Sequence, residues 1–312
     1  MQQRTLGQSG LKVSAVGLGA NNFGGRMDAE ATRVVVHKAL DLGVTLIDTA
    51  DAYGPDGKSE ICIGQALGSR RKHVVLATKF GLDIRGNHQL AGAKRNYVMK
   101  AAEDSLKRLR TDWIDLYQLH YPDPDTPIEE TLRALDDLIK QGKVRHVGYS
   151  NASAADMNAA MQAAKAHRLT PFVANQDQYS LLDRRIEREI VPAMAAHGLG
   201  LLPYFPLASG MLTGKYRGGA IPQGARLSYS KRHVDRFVNE RNWQRVEALT
   251  AFAEQRGRTI LDLAFAWLLA KPIIGSVIAG ASTTEQIEAN VHAARAWTLS
   301  PEDLKEIDRI TL

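Results

Sequence analysis

One cysteine, Cys62, stands in 312 residues, so the chain cannot close a disulfide on itself and suits a reducing compartment. No run approaches the ~20 apolar residues of a helical membrane span. The opening residues, "MQQRTLGQSGLKVSAVGLG", lack the apolar core of a signal peptide. A cytoplasmic, non-membrane protein is the expectation. Aromatic residues make up only 6%, and none interleave with a basic stripe of the kind that binds single-stranded nucleic acid. The formal charge is +6, but the densest basic clusters, "RRKH" from Arg70 and "LKRLR" from Leu106, fall where helices should end, a favourable place for cations. Nucleic acid is therefore not an expected partner.

Nucleotide-binding loops of the familiar spacings are also missing. "GLGANNFGG" offers glycines without the G-x-G-x-x-G spacing, and "AYGPDGKS" has Ala52 where a phosphate-binding P-loop needs its first glycine. The polar strand ends carry no cluster of histidine and carboxylate ligands for a metal. They also lack a facing pair of carboxylates for glycoside hydrolysis. Without repeats, low-complexity tracts or linkers, residues 1–312 read as a single domain.

What is present is an alternation, in a chain that is 44% hydrophobic and can bury a large core. The β-rich runs are "SAVGLGA", "TLIDTA", "VVLATKF", "WIDLYQLH", "VRHVGYSN", "FVANQDQYS", "GLLPYFPLA" and "SVIAGAS". Helix-period segments such as "DAEATRVVVHKALDLG", "KRNYVMKAAEDSLKRLR", "PIEETLRALDDLIKQG", "SAADMNAAMQAAKAH" and "RRIEREIVPAMAAHG" separate them. Pro127 can open a helix, and Gly43, Gly142 and Gly198 stand where helices should stop. This pattern predicts an α/β fold, a (β/α)₈ TIM barrel. Two additions interrupt it. "RTLGQSGLKVS" predicts an N-terminal β-hairpin placed under the barrel, and a long loop from Leu207 to about Glu240 follows the seventh strand. Loops of that length are usually functional or disordered.

A barrel places its chemistry at the C-terminal strand ends. Here those ends carry Asp48, Lys79, His120, Ser150 with Asn151, and Gln176. Leu46 and Asp48 share a strand face, as do Ala77 with Lys79 and Gln118 with His120. Inward-facing, they bring an acid, a base and an imidazole to one mouth, with Tyr53 in the loop above. Taken singly, each has a plain reading: Asp48 a turn former or helix cap, Lys79 a solvated charge, Tyr53 a packing residue, His120 a loop residue. Their coincidence on adjacent strands, in one polarity, favours a shared site.

The motifs "LIDTADAYG", "ATKFG", "LYQLH" and "GYSN", in this order, resemble the aldo-keto reductase superfamily. "NQDQYS", "PLASGMLTGKY" and "AGASTTEQIEANV" continue the resemblance over nearly the whole chain. It implies an Asp–Tyr–Lys–His tetrad at Asp48, Tyr53, Lys79 and His120. Carbonyl reduction needs a hydride for the carbon and a proton for the developing alkoxide. A phenol with a pKa near ~10 is a reluctant donor at neutrality, and a neighbouring ammonium moves it down. Lys79 would supply that charge, Asp48 would orient Lys79, and His120 would donate to the carbonyl oxygen.

The resemblance further implies a nicotinamide cofactor. Ser150, Asn151 and Gln176 would bond its carboxamide, and Tyr204 would stack on its ring. Leu207, Ser209, Gly210, Leu212 and Lys215 would line its pyrophosphate, and Asn290 would contact adenine. Without the resemblance, Tyr204 reads as core and Lys215 as a solvated loop cation. At the adenosine end Gly280 and Gln286 occupy positions where many relatives have a lysine and an arginine, with Ser282 and Thr283 as neutral donors. The potassium-channel β subunits, members of the superfamily that bind NADPH, share a similar neutral pattern, and Arg226 matches an arginine in their long loop. NADPH is the expected cofactor, with NADH the alternative. Ala20 and Asn21 stand where relatives often have Thr-Trp. Asn21, Phe23, Tyr121 and Trp243 are candidate substrate neighbours, the aromatic ones with equally good packing readings. The channel subunits carry asparagine where this chain has His120, so catalysis is expected over a purely regulatory role.

Overall fold

The computed structural model describes residues 1–82, 92–216 and 220–312. Strands β1 (Gln3–Thr5) and β2 (Lys12–Ser14) form the antiparallel hairpin expected at the N-terminus. The next eight are β3 (Val16–Gly19), β4 (Leu46–Asp48), β5 (Val75–Phe80), β6 (Ile114–Leu119), β7 (Val144–Ser150), β8 (Ala174–Gln178), β9 (Gly200–Tyr204) and β10 (Val277–Gly280). They form one parallel sheet in the order β10-β3-β4-β5-β6-β7-β8-β9. The ring closes through a parallel bridge between Leu201 and Ile274, just ahead of β10. Each strand falls within one of the eight β-rich runs, and the fold is the (β/α)₈ barrel.

Helices α1 (Ala29–Asp41), α2 (Lys58–Leu67), α3 (Arg95–Leu109), α4 (Ile128–Lys140), α5 (Ala154–His167) and α6 (Ile190–Ala196) alternate with β3 to β9. Local chemistry sets their ends. Asp28 caps α1 by accepting from the Ala31 amide at 2.8 Å, and Thr32, Val35, Val36 and Ala39 form its buried face. Ser153 and Asp156 close a capping box on α5. Pro127 immediately precedes α4, and Gly43, Gly142 and Gly198 follow α1, α4 and α6. The run expected as a helix from Arg184 is shorter: a 3₁₀ turn (Arg185–Glu187) comes first, and α6 begins only at Ile190. Pro192 has no amide hydrogen, so it fits only the first turn of a helix.

The segment after β9, expected as a loop, is mostly short helices. A 3₁₀ stretch (Ala208–Thr213) leads to α7 (Arg226–Tyr229) and α8 (Lys231–Phe237). The chain then continues through α9 (Glu240–Glu254), α10 (Ile260–Leu269), α11 (Thr284–Ala296) and α12 (Pro301–Thr311).

The barrel interior has two kinds of layer. Low in the barrel, Leu46, Ala77, Leu116, Ala174, Leu202 and Ile278 pack together, and Leu6 and Val13 of the hairpin join them from below. The fit is tight: a Cβ on Gly200 would lie 2.6 Å from Leu6 Cδ1. Two residues further along the same strands stand Asp48, Lys79, Gln118 and Gln176, all buried. The two-residue period keeps them on the inner face.

Candidate active site

Asp48 ends β4, Lys79 lies in β5 and Gln176 in β8. The Asp48 carboxylate collects three donors: Lys79 Nζ at 2.7 Å, Gln176 Nε2 at 2.8 Å and Gln118 Nε2 at 3.3 Å. Lys79 Nζ also donates to the Thr49 carbonyl at 2.9 Å. A buried charge is costly unless paired and hydrogen-bonded, and this network meets both conditions. Burial opposes the Lys79 charge, yet Asp48 and Tyr53 together hold its pKa above the ordinary lysine value. Gln118 shares the inner face with His120 as expected, but its bond to Asp48 carries no sequence signature.

Tyr53 rides on the loop between β4 and α2. Its amide donates to the Ala50 carbonyl, and its own carbonyl accepts from the Ser59 amide, both at 3.1 Å. Ser59 Oγ pairs with Thr49 Oγ1 at 2.8 Å and donates to the Ala20 carbonyl at 2.9 Å, pinning the loop across two strand ends. Lys79 Nζ lies 5.0 Å from the centroid of the Tyr53 ring. Burial raises the Tyr53 phenol above its ordinary pKa, although the Lys79 ammonium pulls it down. The net direction is opposite to the sequence expectation, because burial outweighs the ammonium. The phenol thus holds its proton through neutrality.

His120 follows β6, its ring 5.8 Å from that of Tyr53 and nearly perpendicular to it. Burial, reinforced by the Lys79 charge, drops its pKa to about 3, so the imidazole is neutral at physiological pH. Nδ1 is buried with no partner among the described residues, which leaves Nε2 toward the mouth. The tautomer that donates from Nε2 leaves only an unpaired acceptor behind, the cheaper of the two choices. Tyr121 stacks on His120 at 5.4 Å.

These residues open into a cavity of about 670 Å³. Its wall includes Asp48, Tyr53, His120, Ser150, Asn151, Gln176, Tyr204, Leu207, Ser209, Gly210, Lys215, Arg226, Gly280, Ser282, Gln286 and Asn290, together with Asn21 and Tyr121. Lys79 sits behind it, wholly buried. Four candidates lie elsewhere. Thr283 caps α11, its hydroxyl accepting from the Gln286 amide at 3.3 Å. Phe23 and Leu212 are core residues with no exposed surface, and Trp243 packs against the core at its edge. The wall also holds residues that sequence reasoning did not single out, chiefly Asn22, Phe205, Tyr229, Arg232, His233, Arg236 and Glu285.

The wall between Tyr204 and His120 is bonded internally. Tyr204 Oη donates to Asn151 Oδ1 at 2.7 Å, and Asn151 Nδ2 donates to the His120 carbonyl at 3.0 Å. Ser150 Oγ donates to the Gln176 carbonyl at 3.0 Å. Past β9 the backbone is strained: Phe205, Ala208 and Ser209 take φ of 50°, 45° and 56°, and Gly210 takes 100°. Non-glycine residues there cost of order ~1–3 kcal/mol each and mark functional segments. Ser209 Oγ is buried with no partner among the described residues. Lys215 lies close to Gly210, its Cε 3.0 Å from where a Cβ would stand. Burial lowers the Lys215 pKa, as does the nearby Arg226. An orphaned hydroxyl, a side-chain-free glycine and two cations in one wall fit a phosphate-bearing nucleotide.

Arg226 crosses from α7 to the loop after β3, donating to Asn22 Oδ1 at 3.1 Å, while the Arg26 guanidinium lies 3.1 Å from the centroid of the Tyr229 ring. At the opposite end, Gln286 Oε1 accepts from the Ser282 amide and hydroxyl at 2.8 and 3.1 Å. Among the described residues, no group of three or more His, Cys, Asp or Glu could hold a metal, and no helix is long and apolar enough to cross a membrane.

A barrel mouth that holds a buried lysine against a carboxylate and a phenol, beside a neutral imidazole, is equipped to give a proton and a hydrogen bond to a carbonyl oxygen. The Aldo/keto reductase family model matches residues 15–311, and the chain belongs to that family. It is 34% identical to L-glyceraldehyde 3-phosphate reductase of Escherichia coli (strain K12), over 99% of this chain and 92% of that protein. Aldo-keto reductase YhdN of Bacillus subtilis is 36% identical, over 99% and 93%. A probable voltage-gated potassium channel subunit beta of Arabidopsis thaliana is also 36% identical, over 99% and 96%. The family generally uses nicotinamide cofactors, mainly NADPH.

Proposed function

We propose that this protein is an NADPH-dependent oxidoreductase, with NADH the alternative cofactor, that interconverts an aldehyde or ketone and its alcohol. The observation that carries the reading is the Lys79 ammonium, wholly buried and held between Asp48 and Tyr53. Such a charge is expensive to bury, and a phenol beside it gives the expense a chemical purpose. The nicotinamide, when bound, supplies or accepts the hydride. The chain's own residues handle the proton and the position of the carbonyl.

Tyr53 keeps its proton until oxygen becomes basic enough to take it. Lys79 then stabilises the phenolate, and Asp48 keeps Lys79 charged and in place. Neutral His120 donates from Nε2 to the same oxygen and fixes the angle of approach. In the reverse direction Tyr53 acts as the base. Ser150, Asn151, Gln176 and Tyr204 would hold the nicotinamide. The backbone from Leu207 through Leu212, with Ser209, Gly210 and Lys215, would hold the pyrophosphate. Arg226 would take the 2′-phosphate, and Gly280, Ser282, Gln286 and Asn290 the adenosine. We read residues 1–312 as one catalytic unit acting in the cytoplasm on a small molecule, with no nucleic-acid partner.

The test is NADPH and NADH consumption in parallel with a panel of aldehydes, ketones, sugars and quinones, glyceraldehyde 3-phosphate included because the E. coli relative's name specifies it. Turnover that depends on Tyr53 is expected. The likeness to channel β subunits motivates a second reading, a cofactor-binding regulatory subunit. Tight NADPH binding without turnover of any panel member would favour that second reading.

A further inference from the structure

Four cationic side chains face the cavity, Lys215, Arg226, Arg232 and Arg236, against two carboxylates, Asp48 and Glu285. Asp48 is already paired with Lys79. Lys215 and Arg226 border the segment suited to the cofactor's phosphates. Arg232 and Arg236 remain, and neither has an ion-pair partner among the described residues. The carboxylate on their own helix, Asp235, lies with Lys231 at 3.4 Å.

Their placement is specific. Residues four apart share one face of α8, and that face stands beside the catalytic mouth. The His233 ring meets Phe205 edge-on at 5.4 Å, and Phe205 meets Tyr204 in the same way at 5.4 Å. The Arg236 guanidinium lies 5.8 Å from the Phe205 ring. Like charges at this spacing repel and weaken a helix, more so in one of only seven residues. The burial that lowers the His233 pKa is joined by Arg226, Arg232 and Arg236, so their fields converge on this part of the wall. His233 Nδ1 pairs with Ser230 Oγ, which leaves Nε2 available beside the two guanidiniums.

We propose that Arg232 and Arg236 form an anion-recognising subsite for the substrate, selecting small aldehydes or ketones that carry a phosphate or carboxylate away from the carbonyl. Guanidinium suits either group because its fork of donors matches their oxygens. The proposal rests on the oxidoreductase reading of the cavity.

The test uses matched pairs, glycolaldehyde phosphate against glycolaldehyde and 4-oxobutanoate against butanal, with NADPH. The enzymes compared are the intact chain and Arg232→Gln/Arg236→Gln; both side chains are exposed, so the variant keeps its core. A charged-over-neutral preference in kcat/KM of about tenfold or more is expected in the intact chain. In the variant it should collapse through KM, with the neutral substrates changed less than about twofold. The phosphate and carboxylate pairs show separately which anion is preferred. No preference in the intact chain, or equal losses for both members of each pair, would overturn the subsite. So would a variant whose NADPH affinity falls while the preference survives, since the arginines would then serve the cofactor. Should no aldehyde turn over, calorimetric titration of the NADP⁺-saturated protein with 2-phosphoglycolate decides. Binding that the variant weakens about tenfold supports the subsite, and no binding to the intact chain refutes it.

Discussion

The lower and upper layers of the barrel are built from the same strands, two residues apart, and have opposite chemistry. Below, Leu46, Ala77 and Leu116 pack with the hairpin's Leu6 and Val13. Above, Asp48, Lys79 and Gln118 form a buried, hydrogen-bonded polar network. The lower layer gains from removing apolar surface from water, and the upper layer gives up part of that gain by burying charge. The contrast separates what holds the barrel together from what makes it reactive, and substitutions in the two layers should have opposite signatures.

The largest effect expected is on the chemical step. Tyr53→Phe should lower kcat by ~10²–10⁴-fold, the usual contribution of a positioned acid, with a melting temperature within about 2 °C of the parent. Steady-state kinetics and a thermal melt on one preparation check both halves. Leu116→Ala should do the reverse. It should cost ~2–5 kcal/mol of stability through lost burial and a cavity, seen in denaturant unfolding, while kcat stays within about twofold below the transition. Gln118→Leu lies between the extremes. Removing one donor to a buried carboxylate should reduce kcat about tenfold with KM for NADPH unchanged, and a rise in KM alone would assign Gln118 to cofactor binding instead.

The smallest effects are on pH dependence, and two buried groups pull in opposite directions. His120 is depressed to about 3, so its contribution to stability is present above the unfolded value near ~6.5 and is lost as pH falls toward 3. Asp51, hydrogen-bonded by Tyr97 at 3.1 Å, is raised by burial to about 7. Its contribution is present below the unfolded value near ~3.9 and is lost as pH rises through 7. Denaturant unfolding across pH 4 to 8 should therefore show a shallower acid loss in His120→Asn and a shallower loss toward neutrality in Asp51→Asn.

Much of this arrangement was legible in the sequence. Strand-length apolar runs ending in polar residues gave the eight strands, the two-residue period put Asp48 and Lys79 on the inner face, and one cavity wall collects most of the candidate residues. The rest was hidden for identifiable reasons. Phe205, Ala208 and Ser209 take positive φ, which no residue type there announces, because tertiary contacts impose it. Helix α8 spans seven residues, too few for a periodic pattern to register, so Arg232, His233 and Arg236 read only as loop charges. Phe23 and Leu212 lie in the core because motif position fixes where a residue sits in the chain, and not which way its side chain packs. The Tyr53 pKa direction could not be read from its neighbour alone, since burial depends on the whole mouth.

The most direct measurement is on Asp48→Asn/Lys79→Met, melted and assayed on one preparation. The substitutions remove both charges at similar volume. The introduced asparagine would still offer its side-chain oxygen to the Gln118 and Gln176 amides, and the introduced methionine would fill the lysine's channel. Replacing a buried ion pair by well-packed hydrophobic groups is often neutral or stabilising. Here the Thr49 carbonyl loses its lysine donor and the asparagine amide gains no acceptor, which offsets that gain. A melting temperature lowered by no more than about 8 °C is therefore expected, with carbonyl reduction abolished. A variant that unfolds earlier than that would make the pair a structural necessity, and one that still reduces aldehydes at the parent rate would remove Lys79 from the chemistry; either result contradicts the account.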